Sequence, residues 1–293
     1  MESGTRGKNR LDGTPACPAD IGHGFEVNGS SGTAMSSAEI DRELRAYLAS
    51  FLSDHKRELL PRLLLNRTRH MSVVIEDIYQ THNASACLRS CDCFGVQDVH
   101  VIENRNTFTE NRNVALGASQ WLTVHRYSDR DDATADCLNA LREAGHTIVM
   151  TSPHNTDCDL ETYDIRQPTA LVFGNEKDGA SDTVRRMADH VMRIPMFGFS
   201  ESFNISVAVA VCLHHLVWRM RQLQVDWQLT LQEREILLMD WVRCASGKRK
   251  AAIEKKFTEN RDVLLPSVDT WPDWRQVQPD ASLVQGNRGD VRK

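Results

Sequence analysis

Three short runs carry side chains that could do chemistry. The first is His82-Asn83-Ala84-Ser85-Ala86-Cys87-Leu88-Arg89. The second is Gly174-Asn175-Glu176-Lys177-Asp178-Gly179. The third is Ile194-Pro195-Met196, continued by Ser202-Phe203-Asn204-Ile205-Ser206-Val207-Ala208. Arg89 brings a guanidinium, which stays protonated in proteins and so suits clamping a phosphate or steadying a developing negative charge. Gly174 allows close approach to the backbone. Each residue also has a plainer use. Asn83 suits a helix N-cap, and Ser202 and Asn204 suit the cap of a following helix. Arg89 could be a solvated helix residue, and Gly174 and Gly179 could serve a tight turn. Taken singly, the plain uses carry at least even weight. Taken together they are harder to sustain, because the second and third runs follow strand ends, where ligands bind in open α/β sheets.

Near misses narrow the chemistry. Gly174 and Gly179 have the spacing of a phosphate-binding loop, but the Lys and Ser/Thr required next are Ala180 and Ser181, and Glu176 would put a carboxylate inside the anion cradle. No strand is followed by G-x-G-x-x-G, and no G-x-S-x-G nucleophile elbow is present. His214-His215 lie in a helical stretch without partner ligands and read as surface or packing residues. The cysteines are Cys17, Cys87, Cys91, Cys93, Cys137, Cys158, Cys212 and Cys244, with no C-x-x-C pair. Reduced thiols and no metal site are expected, with Cys87 and Cys91 as small core residues.

The elements that must position these runs follow from periodicity. Short apolar segments at Met71–Glu76, Asp98–Glu103, Trp121–His125, Thr147–Thr151, Thr169–Phe173 and Val191–Ile194 read as strands. Helical patterns at 84–94, 129–144 and 181–189 lie between several of them, the first two closed by Gly95 and Gly145. That alternation predicts an α/β fold with a mostly parallel sheet covered by helices. A long apolar-rich helix follows at roughly 204–224, and another at Trp227–Cys244. Ahead of the strands, Ser36 and Glu39 form a helix-start signal, and Ile40, Leu44, Leu48 and Leu52 continue with helical spacing until Pro61 interrupts or restarts it.

Composition sets the outer bounds. Hydrophobic residues make up 41% and charged residues 26% of the 293-residue chain, enough for a packed core. No stretch approaches ~18 uncharged apolar residues. The N-terminus lacks the apolar block of a signal peptide, so a cytoplasmic protein is expected. A net charge of −5 argues against binding nucleic acid by bulk electrostatics. RNA contact would need a local basic face, for which 62–69 (Arg62, Arg67, Arg69) and 248–256 (Lys248, Arg249, Lys250, Lys255, Lys256) are the candidates; a solvated helix face is the equal alternative.

The three runs, in this order, resemble the motifs of the SpoU/TrmH branch of the SPOUT knotted methyltransferases, within it the tRNA guanosine-2′-O-methyltransferases. The likeness covers N-x-S-A-x-x-R at 83–89, G-x-E-x-x-G at 174–179 and I-P-M…S-x-N-x-S-V-A at 194–208. It runs from about Arg67 to Arg221 and continues in Leu229-Thr230…Glu233-Arg234…Leu237-Leu238…Trp241, which is similar to the family's C-terminal helical extension. Phe203 departs from the usual leucine. The resemblance implies a C-terminal trefoil knot, an exception to the rule that chains avoid knots. It also implies a homodimer and S-adenosylmethionine (SAM) bound by Thr151, Gly174, Ile194, Met196 and Phe203. The reaction implied is methylation of a ribose 2′-oxygen, most specifically at the D-loop guanosine 18 of tRNA. Arg89 would be the key catalytic residue, as base or phosphate clamp. Asn83 would orient it or the ribose, Glu176 would fix the loop or pair with Arg89, and Ser202 and Asn204 would line the site. Ribosomal RNA or another tRNA position is the alternative substrate, and a catalytically silent RNA-binding knot protein the alternative of another class. The expected organisation is a disordered tail 1–37, a helical extension 38–66, a methyltransferase domain 67–224, and a helical extension with an irregular tail 225–293.

Overall fold

Parallel strands buried on both faces need near-continuous apolar runs, and Val73-Val74-Ile75 and Ala170-Leu171-Val172-Phe173 supply them at the centre of the sheet. The computed structural model describes residues 37–109, 111–115, 117–128, 132–154, 156–264, 271 and 277. The strands are β1 (Thr68–Glu76), β2 (Val96–Ile102), β3 (Thr123–Tyr127), β4 (Thr147–Thr151), β5 (Cys158–Asp159), β6 (Thr169–Phe173) and β7 (His190–Arg193). All pair in parallel, in the order β3-β2-β1-β6-β4-β7-β5.

Helices α1 (Ser37–Ala49) and α2 (Asp54–Leu64) precede the sheet. The connecting helices are α3 (Thr81–Phe94), the single turn α4 (Arg112–Ala115), α5 (Ala133–Glu143) and α6 (Asp182–Met187). Helices α7 (Ile205–Gln222), α8 (Leu231–Ala245) and α9 (Lys250–Leu264) follow. One face of the sheet is covered by α3 and α7, through Leu88, Cys91, Val209, Leu213 and Leu216. The other is covered by α5 and α6, through Cys137, Leu138, Leu141 and Val184. A separate core joins α1 and α2 to α8 and α9, built on Leu48, Leu64, Leu238, Trp241 and Phe257. The two terminal extensions, read separately from sequence, thus share one core. Among the described residues, no helix is long and apolar enough to cross a membrane.

The order of strands explains where a site can form. From β1 the chain steps outward to β2 and β3, then returns beyond β1 to build β4, β6, β7 and β5 on the other side. Helix α3, leaving β1, lies on one face, and α6, leaving β6, lies on the other. The adjacent strands β1 and β6 therefore diverge at their C-terminal ends, which opens the crevice where ligands bind in such sheets.

Several boundaries differ from the sequence reading. β1 starts earlier, at Thr68, and Trp121 closes a 3-10 turn instead of opening a strand. The two-residue β5 was missed, being too short for any periodic signal. Pro61 sits inside α2, and the break falls at 50–53, before the Ser53 cap. A proline there removes the hydrogen bond to the carbonyl four residues back, and that carbonyl, on Arg57, accepts the Trp271 indole N–H at 3.0 Å instead. The expectations for Ser36, for 265–293 and for the tail 1–37 fall outside the described residues, Trp271, Val277 and Ser37 aside, and Ser37 opens α1 instead of ending the tail.

Candidate active site

The crevice between β1 and β6 is built from carboxylates that accept from neighbouring loops. Glu76, 2% exposed at the end of β1, accepts from the Ser181 backbone N–H at 2.8 Å and from the Ser181 and Thr134 hydroxyls, each at 2.7 Å. This fastens the starts of α5 and α6 to the strand. Asp77 follows with φ 51, a left-handed conformation that Asp tolerates better than most residues. Its carboxylate accepts the backbone N–H groups of Asn104 and Arg105 at 2.8 Å each, and its carbonyl accepts the Asn175 side-chain amide at 3.2 Å.

The 174–179 run forms a closed turn. Asn175 and Gly179 exchange backbone hydrogen bonds of 3.0 Å, and the Asn175 side-chain oxygen accepts from Lys177 N–H at 2.7 Å. Gly179 has φ +72, and a Cβ on Gly174 would lie 2.2 Å from the Ala180 nitrogen. Gly174 is therefore required by close approach of its own chain, in keeping with the tight-turn use set beside the ligand reading in the sequence.

One hydrogen-bond chain ties all three runs together. Asn83 is 3% exposed and donates to Glu176 Oε1 at 2.8 Å and to Gln80 Oε1 at 3.2 Å, while its Oδ1 accepts from Asn204 Nδ2 at 3.1 Å. The other Glu176 oxygen accepts the Tyr79 N–H at 3.2 Å. Asn204 caps α7 by accepting from Ser206 N–H at 2.9 Å, the plain role foreseen for it, and holds Asn83 with its remaining amide. Asn83 is not a cap: α3 starts two residues earlier, with Gln80 at the N-cap position. Cys87, one turn along α3, is pushed up to about 12 by burial and then by the nearby Glu176 carboxylate, so its thiol stays protonated.

Arg89 lies on the opposite side of α3. It is exposed and, among the described residues, makes no hydrogen bond or ion pair. The pairing with Glu176 and the orientation by Asn83 that the resemblance implies do not occur within this chain, because the two residues face different sides of one helix. Ser202 is likewise exposed and unbonded among the described residues.

The residues expected to hold SAM fall on adjacent loops. Thr151 ends β4, Gly174 follows β6 and Ile194 follows β7, three neighbours in the sheet. Thr151, Gly174, Ile194 and Met196 are half-buried, and Phe203 is 44% exposed. Half-buried loop backbone beside apolar side chains is the donor set that an adenosine group needs, so these residues fit the cofactor. Thr151 commits its hydroxyl to the Val172 carbonyl at 3.1 Å.

The basic candidates divide. Arg67 is 4% exposed, paired with Asp92 and stacked over Trp241 with Cζ 5.0 Å from the ring centroid. Arg69 is held between Asp98 at 2.9 Å and Glu233 at 3.0 Å. Both are internal ties, which corrects their assignment as RNA contacts. Arg62, Lys248, Arg249 and Lys250 are exposed on the helical layer. Sequence reasoning missed Tyr79, Asp77 and Asn175. Asp77 had a usable signal, since an Asp directly after a strand can enter a left-handed turn; Tyr79 had none.

Comparison with known proteins agrees with this geometry. The SpoU rRNA Methylase family model matches residues 70–214. The tRNA (guanosine(18)-2′-O)-methyltransferase of Borreliella burgdorferi is 38% identical over 67% of this chain and 88% of its own length. The enzyme of the same name from Thermus thermophilus is 31% identical over 55% of this chain and 81% of its own. Among solved structures, the A. aeolicus TrmH/SpoU tRNA modifying enzyme superposes with a TM-score of 0.57 at 26% identity, over 64% of this chain and 95% of that one.

Proposed function

This chain belongs to the SpoU methylase family, and from that premise we propose that it transfers the SAM methyl group to the 2′-oxygen of a guanosine ribose in tRNA, at position 18. The observation that carries the reading is the Glu176–Asn83–Asn204 chain of hydrogen bonds, which gathers the three motif runs at the β1–β6 crevice. Thr151, Gly174, Ile194, Met196 and Phe203 would hold SAM, which supplies an electrophilic methyl carbon.

The chain's own residues do the rest. Glu176, Asn83 and Asn204 fix the loops that must align nucleophile and methyl carbon, and alignment of this kind is worth a large part of a transfer barrier. Arg89 binds an RNA phosphate and stabilises negative charge growing on the ribose oxygen. Ser202 lines the site. Because Arg89 faces away from its own chain's network, we infer that it serves the site of a partner subunit in a homodimer. A groove between α3 and α7, lined by Ala86, Ser90, Val207, Ala210, Val211 and His214, is the surface suited to that contact. Arg62, Lys248, Arg249 and Lys250 are the proposed tRNA phosphate contacts, and the resemblance supports a C-terminal trefoil knot. A cytoplasmic location is part of the same proposal, as the compartment where a tRNA substrate would be met.

The test is methyl transfer from labelled SAM to unmodified tRNA, followed by mass mapping of the modified nucleoside. A methylated guanosine at position 18 supports the reading. Transfer to ribosomal RNA with none to any tRNA would reverse the substrate assignment.

A further inference from the structure

Tyr79 is a large aromatic side chain left 61% exposed at the lip of the β1–β6 crevice. Its backbone is held in place. The preceding Ile78 is 8% exposed in the core, and the Tyr79 N–H donates to Glu176 Oε2, on the same carboxylate that binds Asn83. The Lys177 ammonium lies 4.6 Å from the ring centroid, within cation–π range. Lys177 is also fixed, by its N–H to the Asn175 side chain at 2.7 Å inside the closed turn. Among the described residues no other ring packs on Tyr79, so one face carries a cation and the ring is otherwise open. Nothing in the core requires an aromatic residue at such an exposed position, and burial does not account for it.

We infer that Tyr79 and Lys177 form a stacking platform for a nucleobase of the RNA substrate: the base lies on the open face of the ring, and Lys177 neutralises an adjacent phosphate. The inference rests on the RNA-methylating reading above and deepens it. Specific recognition of a nucleotide in a folded RNA targets loops whose bases are splayed out, and a splayed base regains stacking on an aromatic side chain. A ring offers this to any base, and a rigid backbone offers it without first being ordered. The platform is anchored to Glu176, so a base stacked there has its ribose delivered next to the Asn83–Asn204 network. Tyr79 is on this view a positioning residue; it touches no reacting atom.

The test is steady-state methyl transfer from labelled SAM to an unmodified tRNA transcript by the full chain and five variants: Tyr79→Ala, Tyr79→Leu, Tyr79→Phe, Tyr79→Trp and Lys177→Gln. Tyr79→Ala and Tyr79→Leu should each raise the KM for tRNA about tenfold, with the KM for SAM and the thermal midpoint unchanged. Tyr79→Phe and Tyr79→Trp should restore tRNA binding, because they keep a ring. Lys177→Gln should raise the KM less and flatten its salt dependence. Wild-type KM in both Tyr79→Ala and Tyr79→Leu overturns the platform. So does a Tyr79→Phe enzyme as weak as Tyr79→Ala, which would assign the effect to the hydroxyl. Failure of the wild-type chain to methylate any tRNA is a separate result; it overturns the functional reading, and the platform with it.

Discussion

Two polar clusters occupy the two ends of the sheet, and they use similar side chains in opposite ways. Near the starts of β1 and β2, Arg69 is held between Asp98 and Glu233, and His125 reaches Asp98 at 3.4 Å. The His100 and His125 rings stack 4.5 Å apart, and His100 meets the Tyr127 hydroxyl at 3.2 Å. Glu233 also closes the capping box of α8 with Thr230. Each charge there has an opposite charge, one of them Glu233 supplied by α8. At the C-terminal end, Glu76 and Glu176 accept only from neutral donors, in loops that remain open. The Arg89 guanidinium, with no partner among the described residues, stands on the opposite side of α3. A cluster whose charges are mutually satisfied holds elements together. A cluster of fixed acceptors in an open crevice, with a cation left uncommitted on the far side of α3, can act on something else.

That contrast can be broken most directly at Arg89. Arg89→Ala should lower kcat by about 10²–10³, the scale of losing one charge-stabilising donor, and leave the thermal midpoint unchanged because the side chain is exposed. Full activity in this variant would remove the distinction between the two clusters. Asn83→Ala should cost activity and also about 1–3 kcal/mol of stability, since it strips partners from Glu176 and Asn204 in a part-buried setting. Denaturant unfolding alongside kcat would resolve the two effects. Arg69→Met should do the reverse, losing roughly 1–3 kcal/mol of stability while the specific activity of the folded enzyme stays at the wild-type level.

The smallest expected effect concerns acid. Burial, reinforced by His125, lowers His100 from 6.5 to about 3. The unfolded chain therefore takes up the proton first. The stability that neutral His100 contributes is present above pH 6.5 and is lost as pH falls from there toward 3. Asp98 is held below the usual carboxylate range, despite opposing burial, by the His125 hydrogen bond and by Arg69, and loses its contribution in the same direction on acidification. His100→Gln should flatten the fall of the thermal midpoint on acidification without altering the pH profile of kcat. A matching change in the kcat profile would mean that the two ends of the sheet are coupled.

Local pattern was enough for much of this. Gly95 and Gly145, with φ of 77 and 86, end their helices where the sequence puts them, because a left-handed residue after a helix selects glycine. The apolar runs of β4 and β6 were read to the residue. The family motifs named Asn83, Glu176 and Asn204 as a group, and the structure joins them by hydrogen bonds. The sequence could not separate Arg62 from Arg67 and Arg69, since three nearby arginines look alike until Asp92, Asp98, Glu233 and Trp241 arrive from distant elements to claim two of them.

By itself, then, the sequence determined the element types, the parallel α/β class and the residues of the motif runs, all of which depend on side-chain identity and short-range spacing. Only the tertiary structure decided which face of α3 each residue takes, which of the basic side chains are already spent, why Gly174 must lack a side chain, and that Tyr79 stands exposed beside Lys177. Those depend on contacts between residues far apart in the chain, and such contacts are set by how the strands are ordered in the sheet, β1 against β6 above all.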